Sequence, residues 1–295
     1  MPVTVRRATE DDLRKVYLLL STSTLNSAPL SFEMRARMFR PVWGGTEGYY
    51  GYVMEDGDEV VGFLGLLFTQ REIRGASHRF CEIHSWYVRE QYRNESLRLF
   101  LPALSVRKAT LVNYTPTETV YEISKKFGFE DLESRLLLLY PVPTPAAARR
   151  AVRVETRRHV IAQYLDEADR RIFLDHENVA CQHYLVRGKN DTEYLYVIAK
   201  KMWLKPYRPF GRIMYASNKA KLLAHLDYLR LFWCARLAVP LMVIDEDELD
   251  GAPRPAFSRQ KPREVPSLYK SKDLKAEDIR PPLYTLPLLI GYRLH

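Results

Sequence analysis

Residues 79–128 read RFCEIHSWYVREQYRNESLRLFLPALSVRKATLVNYTPTETVYEISKKFG, and the order of elements within them decides the fold. Residues 79–88 read as a strand, and a polar turn follows at 89–95. A helical run covers 96–108, a short strand 110–113, and a second helix 117–127, which stops at Gly128. A turn that feeds the start of a helix presents backbone N–H groups without intrahelical acceptors at the positive end of the helix dipole. Such a turn suits a phosphate or pyrophosphate. Pro102 falls inside the first helix and is expected to kink or shorten it.

Upstream, residues 2–7 alternate like a short strand. Thr9 is placed to cap a helix, with Asp12 in the acidic slot of a capping box and Leu13, Val16, Tyr17 and Leu20 on one face. A shorter helix is expected at 31–40, ended by Pro41 and the pair Gly44-Gly45. Strands at 49–55 and 59–69 are joined by Asp56-Gly57-Asp58, a hairpin signal, and 73–77 reads as a loop. Downstream come a strand at 134–141 and a Pro- and Ala-rich linker at 141–150. The second half then gives one amphipathic helix at 156–175 and strands at 181–187 and 193–201 around a turn at 188–191. A third strand at 210–216 leads to a helix at 218–236, with Ser217 as candidate N-cap, and then a strand at 239–245. A Pro- and Lys-rich excursion covers 254–282, and a last apolar strand covers 284–292. Both halves run helix, hairpin, strand, turn, helix, strand. The expectation is an α/β chain with mixed, mostly antiparallel sheets flanked by helices, in two tandem domains at 1–143 and 144–295.

The chain has 295 residues, 46% hydrophobic and 27% charged, which are globular values and enough for two cores. A net charge of +9 fits a solvated basic surface or an anionic partner. No basic helix interleaved with aromatics is present, which argues against nucleic acid. Cys81, Cys181 and Cys234 are odd in number and far apart, which points to a reducing cytoplasm rather than to structural zinc or disulfides. The N-terminus lacks an apolar signal core. The most apolar long run, 229–244, contains Arg230, Arg236 and Pro240, so no membrane span is expected. The second half carries Asp175, His176, Glu177, Asn178, His183, Tyr194 and Tyr196, whose spacing matches no familiar metal site; no metal is expected. Lys219 and Lys221 follow the second turn and are candidates to meet phosphates. No nucleophile elbow, Walker loop, HExxH or dinucleotide fingerprint occurs.

Two segments carry a resemblance. Trp86-Tyr87-Val88-Arg89-Glu90-Gln91-Tyr92-Arg93 looks like a strand end opening into a pyrophosphate loop, and Lys126-Phe127-Gly128-Phe129 looks like a helix end opening into the next strand. With their spacing, residues 3–141 resemble the GCN5-related N-acetyltransferase superfamily. The resemblance implies acetyl-CoA or another acyl-CoA as co-substrate, and a small-molecule amine, an amino sugar or amino acid, as acceptor. It places the cofactor contacts at Trp86, Tyr87, Val88, Arg93, Asn94, Glu95, Ser96, Leu97 and Arg98. The family's loop glycines are absent here. Asn94 tolerates left-handed backbone and Ser96 is small, while Arg98 either blocks the pyrophosphate or replaces the lost backbone contacts. The family's base position on the strand implies Glu82. His84 lies two residues on, on the same face, with the better intrinsic pKa, so either is a candidate base. The family's acid Tyr is replaced by Ser124, with Tyr121 one turn upstream. Two readings follow: an N-acyltransferase working by direct attack of the amine, or a catalytically inactive acyltransferase-like binding or scaffolding protein. The second half reads as a degenerate copy of the first.

Overall fold

The structure is a computed structural model that describes residues 3–23, 30–148, 152–188, 193–203, 208–249 and 251–291. In chain order the elements begin with β1 (Thr4–Arg7), α1 (Leu13–Ser21), α2 (Phe32–Ala36), β2 (Gly51–Asp56), β3 (Glu59–Ile73) and β4 (Ala76–Val88). They continue with α3 (Leu97–Leu104), β5 (Thr110–Asn113), α4 (Glu118–Lys126), β6 (Glu130–Leu139), α5 (Pro145–Ala148) and β7 (Val152–Glu155). Then follow α6 (Arg158–Tyr164), α7 (Glu167–Asp175), β8 (Gln182–Gly188), β9 (Tyr194–Trp203), β10 (Pro209–Ala216) and α8 (Lys219–Leu237). The last are β11 (Met242–Asp245), β12 (Ser258–Lys270), α9 (Ala276–Ile279) and α10 (Leu286–Leu289). Two compact units result. The first comprises Met1–Leu132, Val265–Arg280 and Tyr284–Tyr292; the second comprises Glu133–Glu264, Pro281–Leu283 and Arg293–His295. The units are interleaved in sequence, whereas the sequence reading cuts the chain once, after residue 143. Among the described residues no helix is long and apolar enough to cross a membrane.

In the first unit β1, β2, β3 and β4 pair antiparallel in order, β4 pairs parallel with β5, and β5 pairs antiparallel with β12. The expected capping box at Thr9 opens a 3-10 turn, Glu10–Asp12, that leads into α1: the Thr9 N–H donates to the Asp12 carboxylate at 2.9 Å, and Arg6 clamps the same carboxylate through two nitrogens at 2.8 and 2.7 Å. The expected loop at 73–77 is instead a tight turn at Arg74-Gly75, both at positive φ, which extends β3 and β4 into a long hairpin. One face of the sheet packs Leu64, Leu66, Cys81 and Ile83 against Leu99, Phe100 and Ala103 of α3. The other packs Val53, Phe63 and Leu67 against Val16, Leu19, Leu20, Phe39, Leu286 and Leu289.

The C-terminal third departs from expectation. Residues 258–270 form β12, not part of an irregular excursion. Its prolines, Pro262 and Pro266, weaken the strand signal, yet both precede the three residues Leu268–Lys270 that pair with β5. The apolar run 284–292 forms the short helix α10, capped by the Thr285 side chain, rather than a strand. Four apolar residues are too few for periodicity to separate the two.

The second unit repeats the plan. β7, β8, β9 and β10 pair antiparallel in order, β10 pairs parallel with β11, and β11 pairs antiparallel with β6. Strand, two helices, three strands, helix, strand is therefore the order in both units. The single helix expected at 156–175 is two: Leu165 turns to ψ 136° and Asp166 caps α7 by accepting the Asp169 N–H at 2.9 Å. The expected linker contains α5, with Ala147 buried. Asn218, not Ser217, caps α8, accepting the Lys221 N–H at 2.9 Å; the Ser217 hydroxyl accepts the Tyr196 N–H. The expected turn at 188–191 lies, beyond Gly188, outside the described residues. Leu222, Leu226, Leu229 and Trp233 of α8 fill the core with Val197, Ala199 and Leu139.

Both units bulge in their fourth strand. Between Phe63 and Gly65 of β3 the pairing with β4 slips, leaving Ser85 and Trp86 opposite Leu64, with Ser85 at φ +49°. In β10 the slip falls between Ile213 and Tyr215. Gly65 is required by what faces it: a Cβ there would lie 2.0 Å from Cε1 of the His84 ring. In the second unit Arg212 and Arg263 alternate with Asp245 and Glu133, all four side chains at most 13% exposed, with contacts of 2.6–3.4 Å. Burial opposes ionisation of Asp245, but the two guanidinium groups hold its pKa below the ordinary range.

Gly65→Ala is expected to destabilise the protein by about 1–3 kcal/mol through overpacking; in urea melts, His84→Ala added to it recovers most of that loss. Arg212→Met is expected to cost about 3–5 kcal/mol, because it strands buried carboxylates; adding Glu133→Gln recovers part of it in the same measurement.

Candidate active site

The bulge ends the partnership of β4 with β5. The two strands pair at Phe80–Thr110, Cys81–Leu111 and Glu82–Val112. β5 stops at Asn113 while β4 runs on to Val88, so residues 85–88 extend past the end of their neighbour. Glu82 and His84 sit just before this divergence, on the face that packs α1, α2 and α10.

Both side chains are buried, at 2% and 6% exposure. Glu82 Oε2 accepts the backbone N–H of Leu286 at 2.7 Å. Desolvation raises its pKa to about 8, against the pull of that hydrogen bond and of the Arg71 charge. His84 finds no hydrogen-bond partner for Nδ1 or Nε2 among the described residues. Desolvation first, and the Arg35 charge second, lower its pKa to about 3. The ranking by intrinsic pKa is thereby reversed: Glu82 exchanges a proton near neutral pH, and His84 stays a neutral ring that can only donate or accept a hydrogen bond.

Arg71 organises the floor. Its guanidinium donates to the Ile279 carbonyl (3.2 Å), the Tyr114 hydroxyl (3.2 Å) and the Tyr284 carbonyl (3.1 Å), and lies 4.1 Å from the Phe80 ring centroid. Trp43 meets Tyr284 edge-on at 5.4 Å. Arg71, Arg35, Gly65 and Leu286 are absent from the sequence reading. A glycine inside the strand of β3 is the signal that was available, since such a glycine often marks close approach of another group.

The turn at 89–95 keeps its place and changes its form. Residues Glu90–Glu95 are a 3-10 helix that runs into α3. The Tyr92 N–H donates to the Arg89 carbonyl and the Ser96 N–H to the Arg93 carbonyl, so these groups are used inside the turn. The Tyr92 hydroxyl straps the turn to Asp56 at 2.6 Å. Arg89 pairs with Glu59 at 2.6 Å, Arg93 with Glu90 at 4.0 Å and Arg98 with Glu95 at 3.2 Å. Arg98 is thus directed to Glu95. Asn94, Glu95, Leu97 and Arg98 are exposed and Ser96 is half-buried. Trp86 stacks on Phe100 (4.7 Å, 11°), Val88 is buried and Tyr87 packs on the opposite face with the α1 and α2 core.

The two candidate acids lie on α4. The Tyr121 hydroxyl donates to Asp131 at 3.0 Å, and partial burial with that carboxylate raises its pKa. Ser124 is buried, and its carbonyl accepts the N–H groups of Phe127 and Phe129.

In the second unit β10 and β11 pair only at Gly211–Met242 and Arg212–Val243 before diverging. The cleft beyond is lined by Ile213, Tyr215, Lys219, Leu222, Ile244 and Pro282. Its volume is about 10 Å³, room for roughly one water. His183 Nδ1 lies 2.7 Å from the Tyr196 hydroxyl and Nε2 3.5 Å from Cys181 Sγ; both His176 ring nitrogens meet backbone carbonyls. Among the described residues no group of three or more His, Cys, Asp or Glu side chains could hold a metal ion.

Residues 14–97 match the model of the acetyltransferase (GNAT) family. No curated protein matches the sequence. Among solved structures, the GCN5-related N-acetyltransferase from Anabaena variabilis ATCC 29413 aligns over 91% of this chain and 72% of its own, with TM-score 0.58 and 12% identity. The GCN5-related N-acetyltransferase from Kribbella flavida aligns over 91% and 70%, with TM-score 0.56 and 13% identity. Residues 14–97 thus match the acetyltransferase (GNAT) family model, within a chain that has the fold of GCN5-related N-acetyltransferases over 91% of its length.

Proposed function

We propose that the first unit transfers an acyl group, acetyl in the simplest case, from acyl-CoA to the amine of a small molecule in the cytoplasm. The observation that supports this most directly is the placement of Glu82. It is a buried carboxyl with a pKa near neutrality, next to the divergence of β4 and β5, in a domain of the acetyltransferase family. The acyl chain would enter between the diverging strands, with the pyrophosphate against the 89–98 turn. The amine attacks the thioester carbonyl directly: the N–C bond forms, the C–S bond breaks, and Glu82 takes the proton the nitrogen loses. The departing thiolate needs one proton, so the proton held by Glu82 balances the reaction without a separate acid. Such an assignment suits a site where Tyr121 is engaged with Asp131 and Ser124 is buried. The orphaned ring of His84 is placed to hydrogen-bond the acceptor or the thioester oxygen. The second unit is a degenerate copy of the same plan, and the small cleft between its β10 and β11 supports a role other than turnover for it.

One observation favours the second reading, an acyltransferase-like protein that binds without catalysis. The Tyr92 and Ser96 N–H groups are engaged within the turn, and Arg89 and Arg98 pair with neighbouring carboxylates. The two readings separate on turnover.

Acetyl-CoA or CoA at millimolar concentration is expected to raise the melting temperature in proportion to the logarithm of its concentration; a flat thermal-shift titration would remove both the acyl-CoA site and the reading built on it. Glu82→Gln is expected to lower kcat by about 10²–10⁴-fold while leaving the CoA shift in place. In the wild type kcat/KM should climb as pH rises through about 8. The stability sign is opposite. A folded pKa of about 8 against an ordinary 4.5 means the folded state holds the extra proton between those values, so stability falls as pH rises through that window. Melting temperatures of Glu82→Gln relative to wild type should therefore improve between pH 5 and pH 9.

A further inference from the structure

Glu82 touches a part of the chain 204 residues away, and that contact points beyond the base assignment. The 284–291 segment of the first unit is fixed at several points. Arg71 binds the Tyr284 carbonyl at 3.1 Å, Arg37 binds the Leu289 carbonyl at 3.2 Å, and Leu286, Leu289 and Ile290 lie in the core with α1 and α2. Within this frame the Leu286 N–H has one described acceptor, Glu82 Oε2 at 2.7 Å.

We propose that Leu286 is a positioning residue for Glu82: its backbone N–H fixes Oε2, favours the ionised carboxylate, and leaves Oε1 as the atom that takes the proton from the acceptor amine. The proposal rests on the reading of Glu82 as the base. Other groups around the carboxyl act differently. Arg71 of β3 acts through charge, its hydrogen bonds going to Ile279, Tyr114 and Tyr284. His84 on β4 stays neutral, Arg35 of α2 acts on His84, and Cys81 lies on the other face with its thiol pKa raised by burial. The Tyr114 hydroxyl beyond β5 is taken by Arg71, and Tyr284 faces Arg71 with its ring. The Leu286 N–H supplies the direct hydrogen bond. A hydrogen bond of this kind to a charged acceptor corresponds to about one to two pH units of proton affinity.

The geometry offers a clean way to remove the donor. Leu286 is the first residue of α10, a position that accepts proline, which has no N–H. Thr285 before it has φ −123° and ψ 149°, the conformation a residue preceding proline prefers. Leu286→Pro therefore deletes the N–H, and Leu286→Ala keeps it while trimming the side chain.

The test follows the Glu82 carboxyl by NMR of protein labelled with ¹³C at glutamate Cδ, assigned by its loss in Glu82→Gln, together with the pH profile of kcat/KM. Leu286→Pro should raise the carboxyl pKa by about one to two pH units. The rising limb of the activity profile should move to higher pH by the same amount, with about tenfold or greater loss at pH 7 that alkali restores. Leu286→Ala should leave both in place. In the unmodified protein, labelled with ¹⁵N-leucine, the Leu286 amide resonance should titrate with the same pKa as the carboxyl, which needs no variant to fold. A Leu286 amide that is indifferent to pH, or proline and alanine variants that shift alike, would overturn the proposal. If the carboxyl responds as stated but Glu82→Gln keeps full activity, the positioning contact stands and the base assignment fails.

Discussion

The constraint on which the candidate site depends is the bulge in β4. Two residues, Ser85 and Trp86, occupy the space opposite Leu64, and Ser85 takes up left-handed backbone to do it. A non-glycine residue there costs about 1–2 kcal/mol, which the surrounding hairpin must offset. In return the strand changes direction where its parallel neighbour β5 ends. Glu82 and His84 are left just inside the divergence, with Trp86 turned onto Phe100. The second unit shows that the plan does not require the strain. β10 slips register in the same place, yet none of its described residues has positive φ.

Desolvation then decides the chemistry. Glu82 and His84 lie on one face, two residues apart and nearly equally buried, yet burial moves them in opposite directions because the charged form is the deprotonated acid in one and the protonated base in the other. The result inverts the ranking that side-chain identity suggests. It also explains why a glycine faces His84: a ring with no hydrogen-bond partner among the described residues is held by shape, and Gly65 supplies the shape.

What was legible in the sequence is what short-range physics controls. The capping box at Thr9, the Asp56-Gly57-Asp58 turn, the strand at 110–113 and the arrest of α4 before Gly128 are each set by residues within a few positions of one another. The resemblance placed the fold of the first unit correctly. Elements defined by distant partners were not legible. β12 is a strand because strands distant in sequence, β5 and β6, offer it ladders despite two prolines, and α10 is a helix at the end of an apolar run that would serve equally well as a strand. The site divides the same way. Glu82 and His84 could be named from the strand, whereas Arg71 and Leu286 matter only because the chain returns to them. The turn's residues could be named too, but not that a 3-10 helix would take up the Tyr92 and Ser96 N–H groups or that Arg98 would turn to Glu95.

The interleaving of the two units carries a consequence for how the protein comes into being. Residues 1–132 leave the ribosome lacking the strand that pairs with β5, the carbonyls that Arg71 binds and the amide that meets Glu82. All of these arrive only after the long second-unit segment Glu133–Glu264 has been synthesised. Until then the first unit exposes an unpaired strand edge and leaves its central arginine without its two carbonyl acceptors, the kind of species that aggregates or recruits chaperones. Pairings that span so much chain also close slowly. The candidate base therefore reaches its final environment only after a stretch of 204 residues has followed it.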